Sequence, residues 1–130
     1  MPIVTPDIKP KIEIDPEILT QIEEEGQIIV HCHYHNFTLE VMGIRVWKST
    51  FLVCEATGLQ SQLIRAFDIC YQPDWYWVAP GETKRFTMVF EPLPKSVISF
   101  TLMEIINQPG PFVVSGIVRN NSDVYNVKLD

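Results

Sequence analysis

The sequence predicts an all-β fold, an antiparallel β-sandwich of seven or more short strands in a single domain. Two observations indicate this class. Apolar and polar residues alternate over short stretches, and turn-forming residues recur about every ten positions. Short strands separated by regularly spaced turns are typical of sandwiches and barrels. The length of 130 residues corresponds to one domain with one hydrophobic core.

The first half of the chain supplies one strand and one hairpin. A strand is predicted at 27–35, where apolar residues alternate with histidines. A second β-rich stretch covers 43–54. The turn 55–58 is expected to connect it, as a hairpin, to a strand at 59–69.

The second half begins with an aromatic stretch at 74–78 and the turn 79–82. A strand is predicted at 83–91, and Pro92 and Pro94 end it because proline cannot donate a ladder hydrogen bond. Further strands are predicted at 97–105, 112–118 and 124–129. Six side chains are expected to form one apolar layer: Phe86, Met88, Phe90, Ile98, Phe100 and Leu102.

The amino-terminal region is divided into two parts. Residues 1–10 carry three prolines and are expected to form an extended or mobile arm before a domain at 11–130. Residues 15–26 fit a helix that Asp15 caps and Pro16 begins. They also fit a strand at 17–23 that returns as a hairpin onto 27–35, and the strand is favoured.

Charge and cysteine content exclude several classes of function. The net charge of −6 and the pI near 5.0 disfavour binding to nucleic acid or to anionic membranes. The chain starts without the pattern of a secretory signal, so a cytoplasmic, soluble protein is expected if the chain is complete. Three cysteines without CxxC spacing indicate reduced thiols.

Two stretches carry a resemblance to a known group of domains. STFLVCEATG at 49–58 and VAPGETKRFTMVFEPLPKSVISFTLMEI at 78–105 resemble small bacterial immunoglobulin-like β-sandwich modules of unassigned function. The resemblance covers about 43–104. It implies a non-catalytic, immunoglobulin-like sandwich and supplies no catalytic residue that could be transferred to this chain.

Glu104 is placed by the alternation at the end of the apolar face that carries Phe100 and Leu102. A buried carboxylate without a partner is costly. A structural ion pair with Arg45, Arg65, Arg85 or Arg119, or hydrogen bonds from backbone amides, is therefore expected for Glu104.

The stretch HCHYH contains all three histidines of the chain, His31, His33 and His35, on one face of the predicted strand. Neighbouring imidazoles on this face lie roughly 6.7 Å apart at Cα, so two can share a metal ion but three in a row cannot. His33, His35 and Glu40 also stand as HxHxxxxE, which resembles the first metal motif of the cupins.

The cupin pattern does not continue along the chain. Trp47 occupies the position where that motif has glycine, and no histidine remains for a second motif. A metal site at His31, His33, His35 and Glu40 is therefore kept as the alternative. The favoured interpretation is that the histidines face solvent or a partner, and that no cofactor is bound.

Tryptophan pairs in sandwiches usually lie in the core, but Trp75 and Trp77 face one side together, and Trp47 could extend the surface that they form. If exposed, the three indoles would bind a protein partner or a carbohydrate. Open sheet edges such as the strand at 112–118 would also allow a homodimer. With no catalytic motif in view, we expect a non-catalytic interaction or structural module rather than an enzyme.

Overall fold

The computed structural model describes residues 26–105 and 112–129, which form nine β-strands. No helix of the length and hydropathy needed to cross a membrane occurs in these two ranges. The strands are β1 (Ile28–His35), β2 (Met42–Ile44), β3 (Thr50–Val53), β4 (Gln60–Phe67), β5 (Tyr76–Val78), β6 (Thr83–Phe90), β7 (Ser99–Glu104), β8 (Val113–Val118) and β9 (Val124–Leu129).

Seven strands form one sheet in the order β8-β7-β3-β4-β6-β1-β9, which curves until it is nearly closed like a barrel. The all-β class and the number of strands are therefore confirmed. The sheet is mixed and not wholly antiparallel, because β9 runs parallel to β1 while β6 runs antiparallel to it on the other side. Strands β2 and β5 form a separate antiparallel pair.

The core lies inside the curved sheet, as the two-residue alternation predicts. Phe86, Met88 and Phe90 are buried, while Thr83 and Arg85, which precede them at alternate positions of the same strand, face outward. The other large contributors from the sheet are Ile28, Val30, Cys32, Leu52, Leu63, Phe100, Leu102, Tyr125 and Val127.

Ile98 is not part of this core, although the alternation places it there. Its side chain is 76% exposed, and Val97 is buried in the apolar layer instead. Strand β7 begins only at Ser99, because the Val97 amide closes a turn onto the Pro94 carbonyl (3.0 Å). The ladder that fixes side-chain alternation therefore starts one residue too late to turn Ile98 inward.

The turns predicted at 55–58 and 79–82 form where expected, but one predicted strand is divided in two. The turn 55–58 connects β3 and β4 as a hairpin, and the Glu82 amide donates to the Ala79 carbonyl before β6. The stretch predicted as one strand at 43–54 is divided into β2 and β3. It breaks because Val46 bridges Tyr71, and the Thr50 hydroxyl donates to the Trp47 carbonyl (2.6 Å).

The predictions for residues 1–10 and for 15–26 lie outside the described residues. Among the described residues, β1 is paired on both of its edges. Strand β6 pairs along the whole of β1 on one edge, and β9 pairs with residues 29–34 on the other.

The loop 119–123 between β8 and β9 is held by Arg119. Its guanidinium donates to both carboxylate oxygens of Asp123 (2.6 and 3.1 Å), and both side chains are buried. It also donates to three backbone carbonyls of the segment before β7, those of Leu93, Pro94 and Val97. The Tyr125 hydroxyl completes the network by donating to Asp123 (2.9 Å).

Candidate binding surface

The small sheet of β2 and β5 presents two tryptophans on its outer side. Gly43 pairs with Trp77, and Trp75 lies two residues earlier, so both indoles lie over the glycine. Their ring centroids are 5.9 Å apart and the planes are inclined by 30°. The opposite side of this sheet faces the core, where Val78 is fully buried and Ile44 packs against the central cluster.

Arg45 connects this pair to Trp47. Its guanidinium carbon lies 3.8 Å from the ring centroid of Trp75 and 5.2 Å from that of Trp47, within the range of a cation–π interaction. One terminal nitrogen donates to the Pro73 carbonyl (3.1 Å). We call Arg45, Trp47, Trp75 and Trp77 the indole platform.

The indole platform is open to solvent, so these tryptophans do not follow the core default for sandwich tryptophans. Trp75 is 47% exposed and Trp77 is 60% exposed. The sheet has only three-residue strands, and no other strand of 26–105 or 112–129 pairs with it. Sequence spacing predicts correctly that the indoles share a side, but it does not predict whether another layer packs over that side.

More exposed apolar side chains lie on the loop that leads into β2. They are Phe37, Leu39 and Val41. The buried Asn36 holds this loop in place, because its amide nitrogen donates to the carbonyls of Glu40 (2.7 Å) and Val78 (2.9 Å). The Thr38 amide and hydroxyl donate back to the Asn36 side-chain oxygen. The loop therefore presents its apolar side chains from a fixed backbone.

Gly43 provides a direct test of how the indoles are positioned. A Cβ at this position would lie 2.8 Å from Trp77 Cζ3 and 2.9 Å from Trp75 Cε3, closer than van der Waals contact allows. We expect Gly43→Ala to displace both indoles and to change the near-UV circular dichroism. Stability should fall by less than about 1 kcal/mol, because exposed side chains can move aside.

Met42→Ala is the matched control, since Met42 neighbours Gly43 but points to the other side of β2. It should leave the tryptophan dichroism unchanged. An unchanged spectrum in Gly43→Ala would show that the indoles do not rest on the glycine.

The histidines lie on the outer face of β1, with Cys32 buried on the inner face between His31 and His33. The Nδ1 atoms of His31 and His35 form hydrogen bonds with the hydroxyls of Thr87 (2.8 Å) and Thr83 (2.7 Å) on β6. The three histidines thus share the face of the strand on which the alternation at 27–35 places them. Burial raises the pKa of the Cys32 thiol to about 12, which disfavours the thiolate that would act as a nucleophile.

The surroundings of His33 do not favour a cation. Its partners across the two ladders are Arg85 on β6 and Lys128 on β9, and paired residues share a face. Glu40 is exposed on the β1–β2 loop. Within 26–105 and 112–129, no group of three histidine, cysteine or acidic side chains is arranged to hold a metal ion. The cupin-like set at His31, His33, His35 and Glu40 thus gains no support from the geometry.

Glu104 is buried, as the alternation predicts, and its partner is a backbone amide and not an arginine. The Phe112 amide donates to Oε1 (3.3 Å), while Oε2 is buried without a partner. No ion pair of Glu104 within 4.0 Å occurs among the described residues; Arg119, one of the expected partners, binds Asp123. Burial raises the pKa of Glu104 to about 7.

Sequence reasoning missed Arg45 and Gly43 as parts of the surface. The signal for Gly43 was present, because glycine inside a β-rich stretch often marks the close approach of another group. Arg45 had no such signal, since the sequence does not show that a loop would bring Trp75 over it.

Comparison with protein-family models, curated proteins and solved structures finds no match to this chain.

Proposed function

We propose that this chain is a non-catalytic binding module whose indole platform and neighbouring loop bind an apolar segment of a protein partner. The observation that carries the proposal is the exposure of Trp75 and Trp77 on one side of β5, with the guanidinium of Arg45 stacked on Trp75. Tryptophan and arginine are enriched among the residues that dominate binding energy at protein interfaces.

The extent of the apolar surface supports a protein partner. Phe37, Leu39 and Val41 are each more than half exposed, and they stand on the loop that leads directly into β2. Exposed apolar side chains that cluster on a surface mark interaction sites in soluble proteins. The hydrogen bonds of Asn36 fix the loop before binding, which lowers the entropy cost of ordering it in a complex.

The immunoglobulin-like assignment over 43–104 belongs to the same proposal. It is supported by the turn Ala79-Pro80-Gly81-Glu82, followed by a strand whose alternate aromatic residues are buried, and by the prolines that end that strand. A module of this type that lacks a catalytic centre would act by binding.

Affinity capture with quantitative mass spectrometry tests the protein-binding function. Wild-type protein is compared with Trp75→Ser/Trp77→Ser and with the control Ile98→Ser, which removes an even more exposed apolar side chain from another region of the chain. A specific partner should be retained by wild type and control. Its Kd, measured with the purified partner, should rise at least about 30-fold in the double variant, the size of a hot-spot loss. Equal affinity for the double variant would contradict the proposal.

A carbohydrate ligand is the second candidate, because two indoles that face the same way 5.9 Å apart offer a stacking surface for sugar rings. Titration with a panel of soluble oligosaccharides, followed by tryptophan fluorescence, separates the two. A saturable change that is lost in Trp77→Ala would favour the carbohydrate, and no response across the panel would leave the protein partner.

A further inference from the structure

Charge is segregated across four adjacent strands of the large sheet, β4, β6, β1 and β9. These strands contain no aspartate or glutamate, but they carry all three histidines of the chain and, on their outer face, Arg65, Arg85 and Lys128. Residues 26–129 contain eight acidic and eight basic side chains, and all eight acidic ones lie outside these four strands. The outer face of this part of the sheet is therefore basic, although the charges in 26–129 balance.

Three basic side chains form one row across this face. His33 pairs with Lys128 of β9 on one side and with Arg85 of β6 on the other, and directly paired residues point to the same face. Lys128 and Arg85 are exposed, and His33 is half-buried between them. Neighbouring strands lie about 4.8 Å apart, so the row spans roughly 10 Å. We call Lys128, His33 and Arg85 the cationic row.

The next row along β1 adds polar groups to the same face. His31 pairs with Asn126 on β9 and with Thr87 on β6. The hydrogen bond with the Thr87 hydroxyl (2.8 Å) uses Nδ1 and holds the ring in place. When that hydroxyl donates to Nδ1, the neutral ring carries its proton on Nε2 and can donate it to an anion. The face thus combines two positive charges with oriented hydrogen-bond donors.

The arrangement suits an anion. Basic groups on directly neighbouring positions of a sheet repel one another, and a bound negative charge relieves that repulsion. Glu82, the acidic residue closest to Arg85 in the sequence, uses its Oε1 to accept from the Ala79 amide (2.9 Å). The same surroundings that disfavour a metal ion at His33 therefore favour a carboxylate or another anion.

The shape of the face indicates an extended ligand. Small ligands bind in concave sites, whereas the outer face of a barrel-like sheet is convex. In an extended peptide, side chains at alternate positions point the same way and lie roughly 7 Å apart. Two such carboxylates match the span of the cationic row, because the side chains of Arg85 and Lys128 are long. Arginine can also bind a carboxylate with two parallel hydrogen bonds.

A nucleic acid fits this face less well than an acidic peptide does. Nucleic-acid interfaces commonly neutralise many phosphates and belong to strongly basic domains. Residues 26–129 carry no net positive charge, and the cationic row contributes only two full charges. A short acidic segment needs no more than that.

We propose that the cationic row binds an extended acidic segment of a protein partner, with carboxylates on Arg85 and Lys128 and with the imidazoles of His31 and His33 as donors beside them. This inference is independent of the indole platform, which involves the small sheet of β2 and β5.

Fluorescence anisotropy tests the proposal with a labelled peptide in which glutamate alternates with serine, at an ionic strength of about 0.15 M. Wild-type protein should bind it saturably, and a peptide with glutamine in place of glutamate should not bind. Arg85→Gln/Lys128→Gln should raise the Kd at least about tenfold, since it removes two hydrogen bonds to charged groups. The control Lys48→Gln/Lys95→Gln removes the same charge from exposed positions outside the row and should change the Kd less than about twofold.

Three results would overturn the proposal. They are the absence of saturable binding up to about 1 mM peptide, an equal loss of affinity in the two double variants, and tighter binding of an oligothymidylate of the same charge. The second would mean that only net charge matters, and the third would identify a nucleic acid as the ligand. NMR titration of wild-type protein provides a check that needs no variant. The amide signals of His33, Arg85 and Lys128 should shift on adding the peptide, and shifts confined to the indole platform would contradict the proposal.

Discussion

Replacing Arg119 with methionine is expected to lower the free energy of unfolding by about 3–5 kcal/mol, the cost of removing the close partner of a buried charge. The Arg119 and Asp123 side chains are only 9% and 7% exposed. Methionine fills similar space but donates no hydrogen bond. Asp123 would keep its charge in a buried site, with only the Tyr125 hydroxyl and the exposed, more distant Lys95 ammonium (3.9 Å) left to it. The carbonyls of Leu93, Pro94 and Val97 would lose the guanidinium as a donor.

Urea denaturation of wild type and variant measures this loss. Arg65→Met is the matched control, because Arg65 is exposed on β4, and it should change stability by no more than about 0.5 kcal/mol. Adding Asp123→Asn to Arg119→Met should restore part of the loss by removing the stranded charge. Asparagine also tolerates the left-handed backbone of this position (φ 56°). A loss below about 1 kcal/mol in Arg119→Met would show that the network is dispensable.

Replacing Glu104 with glutamine is expected to abolish a pH dependence of stability worth about 2–3 kcal/mol between pH 4.5 and pH 8. The pKa of Glu104 is raised from 4.5 to about 7 in the fold, chiefly because burial disfavours the charged form. Between these values the folded chain holds a proton that the unfolded chain has released. Wild-type stability therefore falls as pH rises through this window, and the glutamine variant lacks this contribution.

The measurement is the difference in unfolding free energy between wild type and Glu104→Gln, taken at several pH values so that other titrating groups cancel. The difference should move in favour of glutamine as the pH rises from 4.5 to 8. Glu40→Gln, which changes an exposed carboxylate, is the control and should show no such trend. A constant difference for Glu104→Gln would mean that Glu104 titrates normally in the fold.

The strands could be predicted closely because apolar and polar residues alternate in a half-buried strand, and this alternation can be read from the sequence. The stretch from Thr83 to Phe90 is one case, and β9 at Val124–Leu129 is another. The same alternation gave a wrong prediction for Ile98, which it placed in the core. A turn closed by the Val97 amide and the Pro94 carbonyl decides where the ladder begins. The alternation also placed His31 and His35 on the outer face correctly, but it could not identify their threonine partners on β6.

The sequence by itself determined the all-β class, the main turns, the buried face of each long strand, and the fact that Trp75 and Trp77 share one side. These are properties of neighbouring residues, and backbone geometry alone converts spacing into direction. Only the tertiary structure decided that β9 lies parallel to β1, that the sheet curves toward closure, and that Trp75 and Trp77 are exposed. Those outcomes depend on which distant strands pair, and that choice is made by the packing of the whole core.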